Sequence, residues 1–340
     1  MRDGEESSDT GYVHAVSVVV PVYQGEHTLP MLIKEVAPLT SVVKTPSGHA
    51  MRVAEVVLVY DHGPDHSAAT IRSLVDEYGF IRPLWLSRNY GQHAATLAGM
   101  ASSGGDWIVT LDEDGQHDPA DIVRFLDVAI AQQVSVVYAD PTNAASHGAM
   151  RNAASRSTKW IFSRLLSSGE LITFESFRLV LGEIGRSVAA YAGPGVFLDV
   201  ALSWVNGRVA SCPVRLRHET DRPSGYSLRR LLSHWWRMVL TSGTRALRLV
   251  SALGAGFAVV GVVLAAVLAV LRLTSGTEVA GWTSVMVVAL VGIGAILFAL
   301  GVIAEYVGVA VNMAMGKPLY LIVGDTEDGP LGARLPQTPE

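Results

Sequence analysis

WIVTLDEDGQHDP, Trp107 to Pro119, is the stretch that decides the fold. Trp107–Leu111 is apolar and rich in strand-forming side chains, and it breaks at once into Asp112, Glu113 and Asp114. A buried strand whose carboxyl end carries two carboxylates separated by one residue is a natural site for a hard cation. Magnesium or manganese takes few protein oxygens and completes its shell with water and phosphate. An isolated Asp-x-Asp is a weak signal, because charged loops are common. The strand before it and Gln116 and Pro119 after it make this one specific.

Working outward, the same alternation of strand and helix continues on both sides. Ala15–Val22 is a valine-rich run that reads as a buried strand, followed by a helix over Thr28–Val36. Val53–Tyr60 and Ile81–Leu86 read as strands, and Ser67–Tyr78 and Gln92–Ser103 as helices. After Trp107–Leu111 come a helix over Asp121–Gln133 and a strand over Val134–Ala139. This order predicts a mainly parallel sheet covered on both faces. In such sheets the ligand lies beyond the carboxyl ends of the strands. The polar residues sit there: Pro21-Val22-Tyr23-Gln24-Gly25-Glu26, Asp61-His62-Gly63-Pro64-Asp65, and Asp112 to Pro119. Three strand ends are thus expected to converge on one edge.

Composition adds a second part. Of 340 residues only 17% are charged and 49% are hydrophobic, with mean hydropathy +0.33. That is poorer in charge than an ordinary soluble domain. Leu249–Leu271 and Gly281–Ala304 are uncharged runs long enough to span a bilayer as helices. A short loop with Arg272 and Glu278 joins them, so they read as a hairpin. Arg229, Arg230, Arg237, Arg245 and Arg248 precede the hairpin and Lys317 follows it. Positive charge marks the cytoplasmic side, which places both the large N-terminal part and the C-terminal tail in the cytoplasm. Ser227–Leu240, SLRRLLSHWWRMVL, separates an apolar from a basic face and reads as a helix lying in the headgroup layer. An amphipathic helix packed on the soluble domain is the alternative. The polar, acidic start MRDGEESSDTGY excludes an ordinary cleaved signal peptide. The expected division is a disordered tail over 1–14, a catalytic domain over 15–225, interfacial helices over 226–248, the hairpin over 249–304 and a cytoplasmic tail over 305–340, disordered after Gly324.

The net charge of −5 argues against a nucleic-acid partner. A single cysteine, Cys212, leaves no disulfide framework and no cysteine-based zinc site. His62, His66, His93 and His117 fall near the expected site, but their spacing fits no common zinc pattern.

Two segments carry a family resemblance. Leu86–Pro119, LSRNYGQHAATLAGMASSGGDWIVTLDEDGQHDP, and Ile303–Val323, IAEYVGVAVNMAMGKPLYLIV, resemble the family 2 glycosyltransferases with a GT-A fold. Within them the chain looks like the membrane-anchored polyprenyl-phosphate glycosyltransferases, over about Val16 to Val323. The resemblance implies an α/β GT-A domain, Rossmann-like with a mainly parallel sheet, plus the C-terminal two-helix transmembrane hairpin. It implies a nucleotide-sugar donor, a polyprenyl phosphate acceptor, the bilayer as partner, and Mg2+ or Mn2+; it leaves a homo-oligomer open. Pro21, Tyr23, Val59, Asp61, Asp112, Glu113, Asp114, Arg151 and Arg222 match residues that bind the nucleotide sugar. Asp114 and Gln116 match the metal ligands. Asp112, Asp114, Arg178 and Arg222 match catalytic positions, with Phe177-Arg178-Leu179 on the acceptor-side loop. Arg151, Arg156 and Lys159 are the candidates for the acceptor phosphate, with a solvated helix face as the plainer reading of Arg156 and Lys159.

The pattern is not followed everywhere. Tyr60-Asp61 stands where the family has paired aspartates, Gln24-Gly25 where it has Asn-Glu, and Ser176 where an acid often precedes Phe-Arg-Leu. Arg222-Pro223-Ser224-Gly225-Tyr226 is shortened. These departures bear on base and sugar preference and leave the metal site intact. Two other readings stay open: a processive polysaccharide synthase, against which stands the absence of a Gln-x-x-Arg-Trp motif, and a membrane-anchored nucleotide-sugar-binding protein with decayed catalysis.

Overall fold

The structure is a computed structural model. It describes residues 11–143, 175–193, 198–205, 208–217, 281–316, 318–325 and 327–328, with scattered positions between 254 and 274. The chain divides into two units. One holds Met1–Gly193, Phe197–Ser224 and Pro318–Glu340; the other holds Pro194–Val196 and Gly225–Lys317.

In the first unit the elements run β1 (Val13–Val22), α1 (Leu29–Val36), β2 (Val43–Lys44), β3 (Ala50–Tyr60), α2 (Ser67–Glu77), β4 (Ile81–Leu86), α3 (Gln92–Ser102), β5 (Trp107–Thr110) and α4 (Ile122–Gln132). They continue with β6 (Val136–Pro141), β7 (Arg178–Leu181), α5 (Gly182–Tyr191), α6 (Leu198–Val205) and β8 (Ala210–Val214). The strands form one sheet in the order β8-β6-β7-β5-β1-β3-β4, and β2 pairs with the start of β3. β4, β3, β1 and β5 are mutually parallel, as the strand–helix alternation requires.

The valine run of β1 explains its central place. Val16, Val18, Val20 and Val22 lie in one core with Leu29, Ile33 and Val36 of α1, Ile71 of α2 and Phe125 of α4. Val19 belongs to the opposite face, which α3 covers. Side chains alternate across a strand, so a central parallel strand needs an apolar residue at every position. α3 can lie close because it is built from Ala94, Ala95, Ala98 and Gly99. A Cβ on Gly99 would stand 2.3 Å from Val19 Cγ1.

The structure departs from the sequence reading in four places. β1 starts at Val13, so Val13 and His14 belong to the sheet and not to a tail. The sheet is mixed, because β7 enters antiparallel between β5 and β6. β7 is four residues long and begins with a buried arginine, which hides it from an apolar pattern. β8, on the far side of β6, pairs with it in parallel. Finally, the tail after Gly324 is not wholly free. A ninth strand, β9 (Ile322–Val323), pairs antiparallel with β4, and Arg72 of α2 holds both Asp325 and Glu327.

In the second unit, α7 spans Trp282–Ala314. It passes the expected end of the apolar run at Ala304 and carries Glu305 and Tyr306 within the helix. Thirty-three residues at 1.5 Å each give about 50 Å, more than the hydrocarbon thickness. Its window Val291–Gly308 has mean hydropathy 2.0, and it is the one helix among the described residues long and apolar enough to cross a membrane. The other run, Leu249–Leu271, is described only in part; Val259, Val260, Val262 and Val263 there are helical and exposed. The segment Ser227–Leu240 lies outside the described residues.

Candidate active site

The three strand ends converge as expected. Asp61 N–H donates to the Val22 carbonyl and Leu111 N–H to the Val19 carbonyl, tying the exits of β3 and β5 to β1. Across this edge the Glu113 carboxylate accepts from the backbone N–H of Tyr23 at 2.9 Å and of Gln24 at 2.8 Å. The acidic loop after β5 is therefore sewn to the loop after β1. Pro21 and Val59 are buried cross-strand partners beneath this edge, whereas Tyr23 is 44% exposed above it.

Asp112 is held from two sides. Gln92 Nε2, at the first residue of α3, donates to its Oδ1 at 2.6 Å, and Ser176 Oγ donates to its Oδ2 at 2.5 Å. Asp114 Oδ1 accepts from Gln116 N–H at 3.0 Å across a turn at Gly115. That glycine has φ +72°, a left-handed conformation that lets the loop reverse within the acidic stretch. His117 is buried against Phe177, with ring centroids 5.0 Å apart, and Phe177 packs on Phe125 at 4.5 Å. Burial pushes the His117 pKa down, against the opposing pull of Asp112, Asp114 and Asp121.

Asp61 is only 3% exposed. Its two oxygens accept from the N–H groups of Tyr90 at 2.7 Å and Gly91 at 2.8 Å, so it shapes the loop between β4 and α3. Burial raises its pKa, and those two amides pull it back. The next residue, His62, has φ +49°, uncommon for a residue with a Cβ, and redirects the chain at this point.

Arg178 does not lie on a loop. It heads β7 and is 5% exposed. Its NH1 pairs with Asp199 of α6, its Nε donates to Thr110 Oγ1 at 3.2 Å, and its guanidinium lies 5.6 Å from the Tyr138 ring centroid. The Tyr138 hydroxyl donates to the same Asp199 oxygen at 3.1 Å. Burial pulls the Arg178 pKa down, and Asp199, Tyr138 and Asp112 together more than offset it. Thr110 Oγ1 donates to the Ser176 carbonyl, and Ser176 in turn holds Asp112. Arg178 thus reaches the acidic loop through its neighbours.

Arg217, which the sequence reading missed, also supports that loop. Its N–H donates to the Gln116 carbonyl at 2.9 Å, and its guanidinium bridges Asp118 at 2.9 Å and Glu35 of α1 at 2.7 Å. Nothing local in the sequence pairs Arg217 with Glu35; the sheet brings them together. Arg151, Arg156, Lys159 and Arg222 lie outside the described residues.

The donor chemistry fits a hard divalent cation held by few protein atoms. Asp114 and Gln116 offer oxygen on a half-buried turn, and Asp112 and Glu113 beside them make positioning contacts. Among the described residues no three His, Cys, Asp or Glu side chains gather to hold a metal by themselves.

Comparison with known proteins agrees with this geometry. Residues 17–182 match the model of the family described as Glycosyl transferase family 2. The undecaprenyl-phosphate 4-deoxy-4-formamido-L-arabinose transferase of Yersinia enterocolitica is 29% identical over 329 residues, covering 93% of this chain and 94% of the relative. That of Salmonella choleraesuis is 29% identical over 328 residues, covering 92% and 94%. Among solved structures, glucosyl-3-phosphoglycerate synthase from Mycobacterium tuberculosis, in complex with Mn2+, uridine diphosphate and glucosyl-3-phosphoglycerate, is 18% identical with TM-score 0.46, covering 67% of this chain and 78% of that one. Mannosyl-3-phosphoglycerate synthase from Rubrobacter xylanophilus is 14% identical with TM-score 0.49, covering 69% and 74%. The mixed, mostly parallel sheet with its acidic loop beyond β5 is the GT-A architecture expected of such a domain.

Proposed function

We propose that the chain is a family 2 glycosyltransferase, as the match of residues 17–182 to that family's model supports, and that it transfers a sugar from a nucleotide-sugar donor to a polyprenyl phosphate at the cytoplasmic membrane face. The observation that carries this reading is the reach of the similarity. It extends along 93% of the chain to a transferase named for undecaprenyl phosphate, well past residue 182 where the family domain ends, and so takes in the apolar helix α7.

The acceptor phosphate has a second pKa near 6, so at neutral pH it is mostly a dianion. Its oxygen attacks the anomeric carbon without surrendering a proton. The new bond is phosphate oxygen to carbon. The bond that breaks is carbon to the β-phosphate oxygen, which leaves with the electron pair on the nucleoside diphosphate. Attack opposite the leaving group inverts the anomeric configuration. Asp114 and Gln116 are the residues to hold Mg2+ or Mn2+, which when bound neutralises charge on the leaving diphosphate. Glu113 keeps the two loops at a fixed distance, and Gln92 and Ser176 fix the direction of Asp112. Asp61 and the loop it shapes form the side for base and ribose, beside Tyr23. Arg222 serves the diphosphate and Arg151, Arg156 and Lys159 the acceptor phosphate, as their match to the family implies. The apolar runs 249–271 and 281–304 form a membrane hairpin with both ends cytoplasmic, so that the lipid acceptor meets a donor arriving from the cytoplasm.

The test is a screen. Membranes containing the protein are supplied with undecaprenyl phosphate and a panel of UDP-, GDP- and dTDP-sugars carrying a labelled sugar. Label should move into the lipid extract with one donor class and not in membranes lacking the protein. A full panel with no lipid-extractable label overturns the reading.

A further inference from the structure

We propose that the segment after α7, Pro318 to Asp328, is a positioning element of the donor-nucleotide pocket, locked in place by Arg72. The inference rests on the donor reading above and extends it to residues outside the glycosyltransferase domain.

β9 brings only Ile322 and Val323 to the edge of β4, opposite Leu86 and Trp85. A two-residue strand is too short to hold an edge by its ladder. The lock is Arg72. Its Nε and NH2 donate to the two oxygens of Asp325, each at 2.6 Å, and its NH1 donates to Glu327 Oε1 at 2.6 Å. The Arg72 and Asp325 side chains are 18% and 11% exposed. A forked, charge-assisted pair so far withdrawn from water is stronger than an open surface pair.

Two chains of contacts run from this clasp to Asp61. In the first, the Arg72 guanidinium lies 5.0 Å from the Trp85 ring centroid, Trp85 meets the Tyr60 ring edge-on at 5.4 Å, and Tyr60 adjoins Asp61. The Tyr60 hydroxyl also donates to the Gly63 carbonyl at 3.2 Å, in the loop that follows Asp61. In the second, the Leu321 carbonyl accepts from Ser87 N–H at 2.9 Å, the Ser87 and Tyr90 hydroxyls are hydrogen-bonded at 2.8 Å, and Tyr90 N–H donates to Asp61. Both end at the carboxylate that shapes the base and ribose side. Ordering that loop before the nucleotide arrives removes part of the entropy cost of binding. The segment therefore acts on donor affinity, and not on the acidic loop or the acceptor.

The experiment compares full-length wild type with Asp325→Asn and with Glu327→Gln. Binding of uridine, guanosine and thymidine diphosphates is titrated in the presence of Mg2+. The dissociation constant of the nucleotide that wild type binds should rise about tenfold in Asp325→Asn, the size of losing one hydrogen bond to a charged group. In Glu327→Gln it should rise less, in the same direction. The acceptor KM should stay at its wild-type value, which a merely structural role would not produce. Glu327→Gln removes only the outer arm and serves if Asp325→Asn fails to fold. Equal dissociation constants in wild type and the folded variants overturn this inference alone. A wild type that binds none of the three nucleotides overturns the donor reading and this inference with it.

Discussion

Replacing Asp199 by alanine tests how the acidic loop is supported. Arg178 is 5% exposed, and Asp199, at 17%, is the carboxylate paired with it. The substitution leaves a guanidinium under the sheet with Thr110 Oγ1 at 3.2 Å, the Ser176 carbonyl at 3.4 Å and the Tyr138 ring, and no counter-charge of its own. It also removes the acceptor of the Tyr138 hydroxyl. Breaking a buried ion pair from one side costs about 3–5 kcal/mol. The partial exposure of Asp199 and the remaining partners of Arg178 put this case near the lower end, about 3 kcal/mol. In a domain of this size that lowers the melting temperature by about 6–12 °C. The assay is thermal unfolding of the full-length protein in detergent at pH 7.5. Arg178→Met with Asp199→Leu should cost less than Asp199→Ala alone, because no charge is left buried. Transfer should fall in Asp199→Ala even well below its melting point, since Thr110 and Ser176 then hold Asp112 less firmly. The reasoning fails if Asp199→Ala melts within about 2 °C of wild type, below the smallest shift worked out above.

Other outcomes follow from the same contacts. Asp114→Ala should abolish transfer while the melting curve stays near that of wild type, because the residue sits on a half-buried turn outside the apolar core; chelation of divalent cations should do the same, and full activity in either case contradicts the metal role. Gly99→Ala should destabilise by about 1–3 kcal/mol, read by denaturant unfolding, because its Cβ would meet Val19 Cγ1 at 2.3 Å and Val59 Cγ2 at 3.0 Å. Burial and the neighbouring His49 lower the His14 pKa, so the unfolded chain takes up the proton first. Stability from this group is complete above about pH 6.5 and falls as the pH drops below it. His14→Gln should therefore flatten part of the loss of melting temperature between pH 7.5 and 5.5, and an unchanged slope would exclude His14 as a contributor.

The strands that the sequence disclosed are those whose apolar character is local. β1, β5 and the second half of β3 are continuous apolar runs because the centre of a parallel sheet is buried on both faces, and Ile81–Leu86, although it carries Arg82 and Pro83, matches the observed bounds of β4. β7, β8 and β9 were illegible for different reasons. β7 begins with Arg178, whose burial makes sense only once Asp199 is beside it. β8 alternates exposed and buried side chains and contains Pro213. β9 is two residues held by an ion pair whose partners, Arg72 and Asp325, are 253 positions apart in sequence. The site divides in the same way. Asp112 and Asp114 stand out as candidates by spacing and Asp61 by its place after a strand, and Gln116 enters through the family resemblance. That Glu113 spans to the Tyr23 and Gln24 amides, or that Arg217 joins Glu35 to Asp118, depends on tertiary proximity that no local pattern encodes.

The account stands or falls on the acceptor. Full-length protein in liposomes should be given the active labelled donor and Mg2+ with either undecaprenyl phosphate or undecaprenol in the bilayer, and the lipid extract weighed by mass spectrometry. The account predicts a product of undecaprenyl phosphate plus one sugar residue, formed only where the phosphate is present. Equal glycosylation of undecaprenol, or label passing instead to a soluble oligosaccharide, would contradict it.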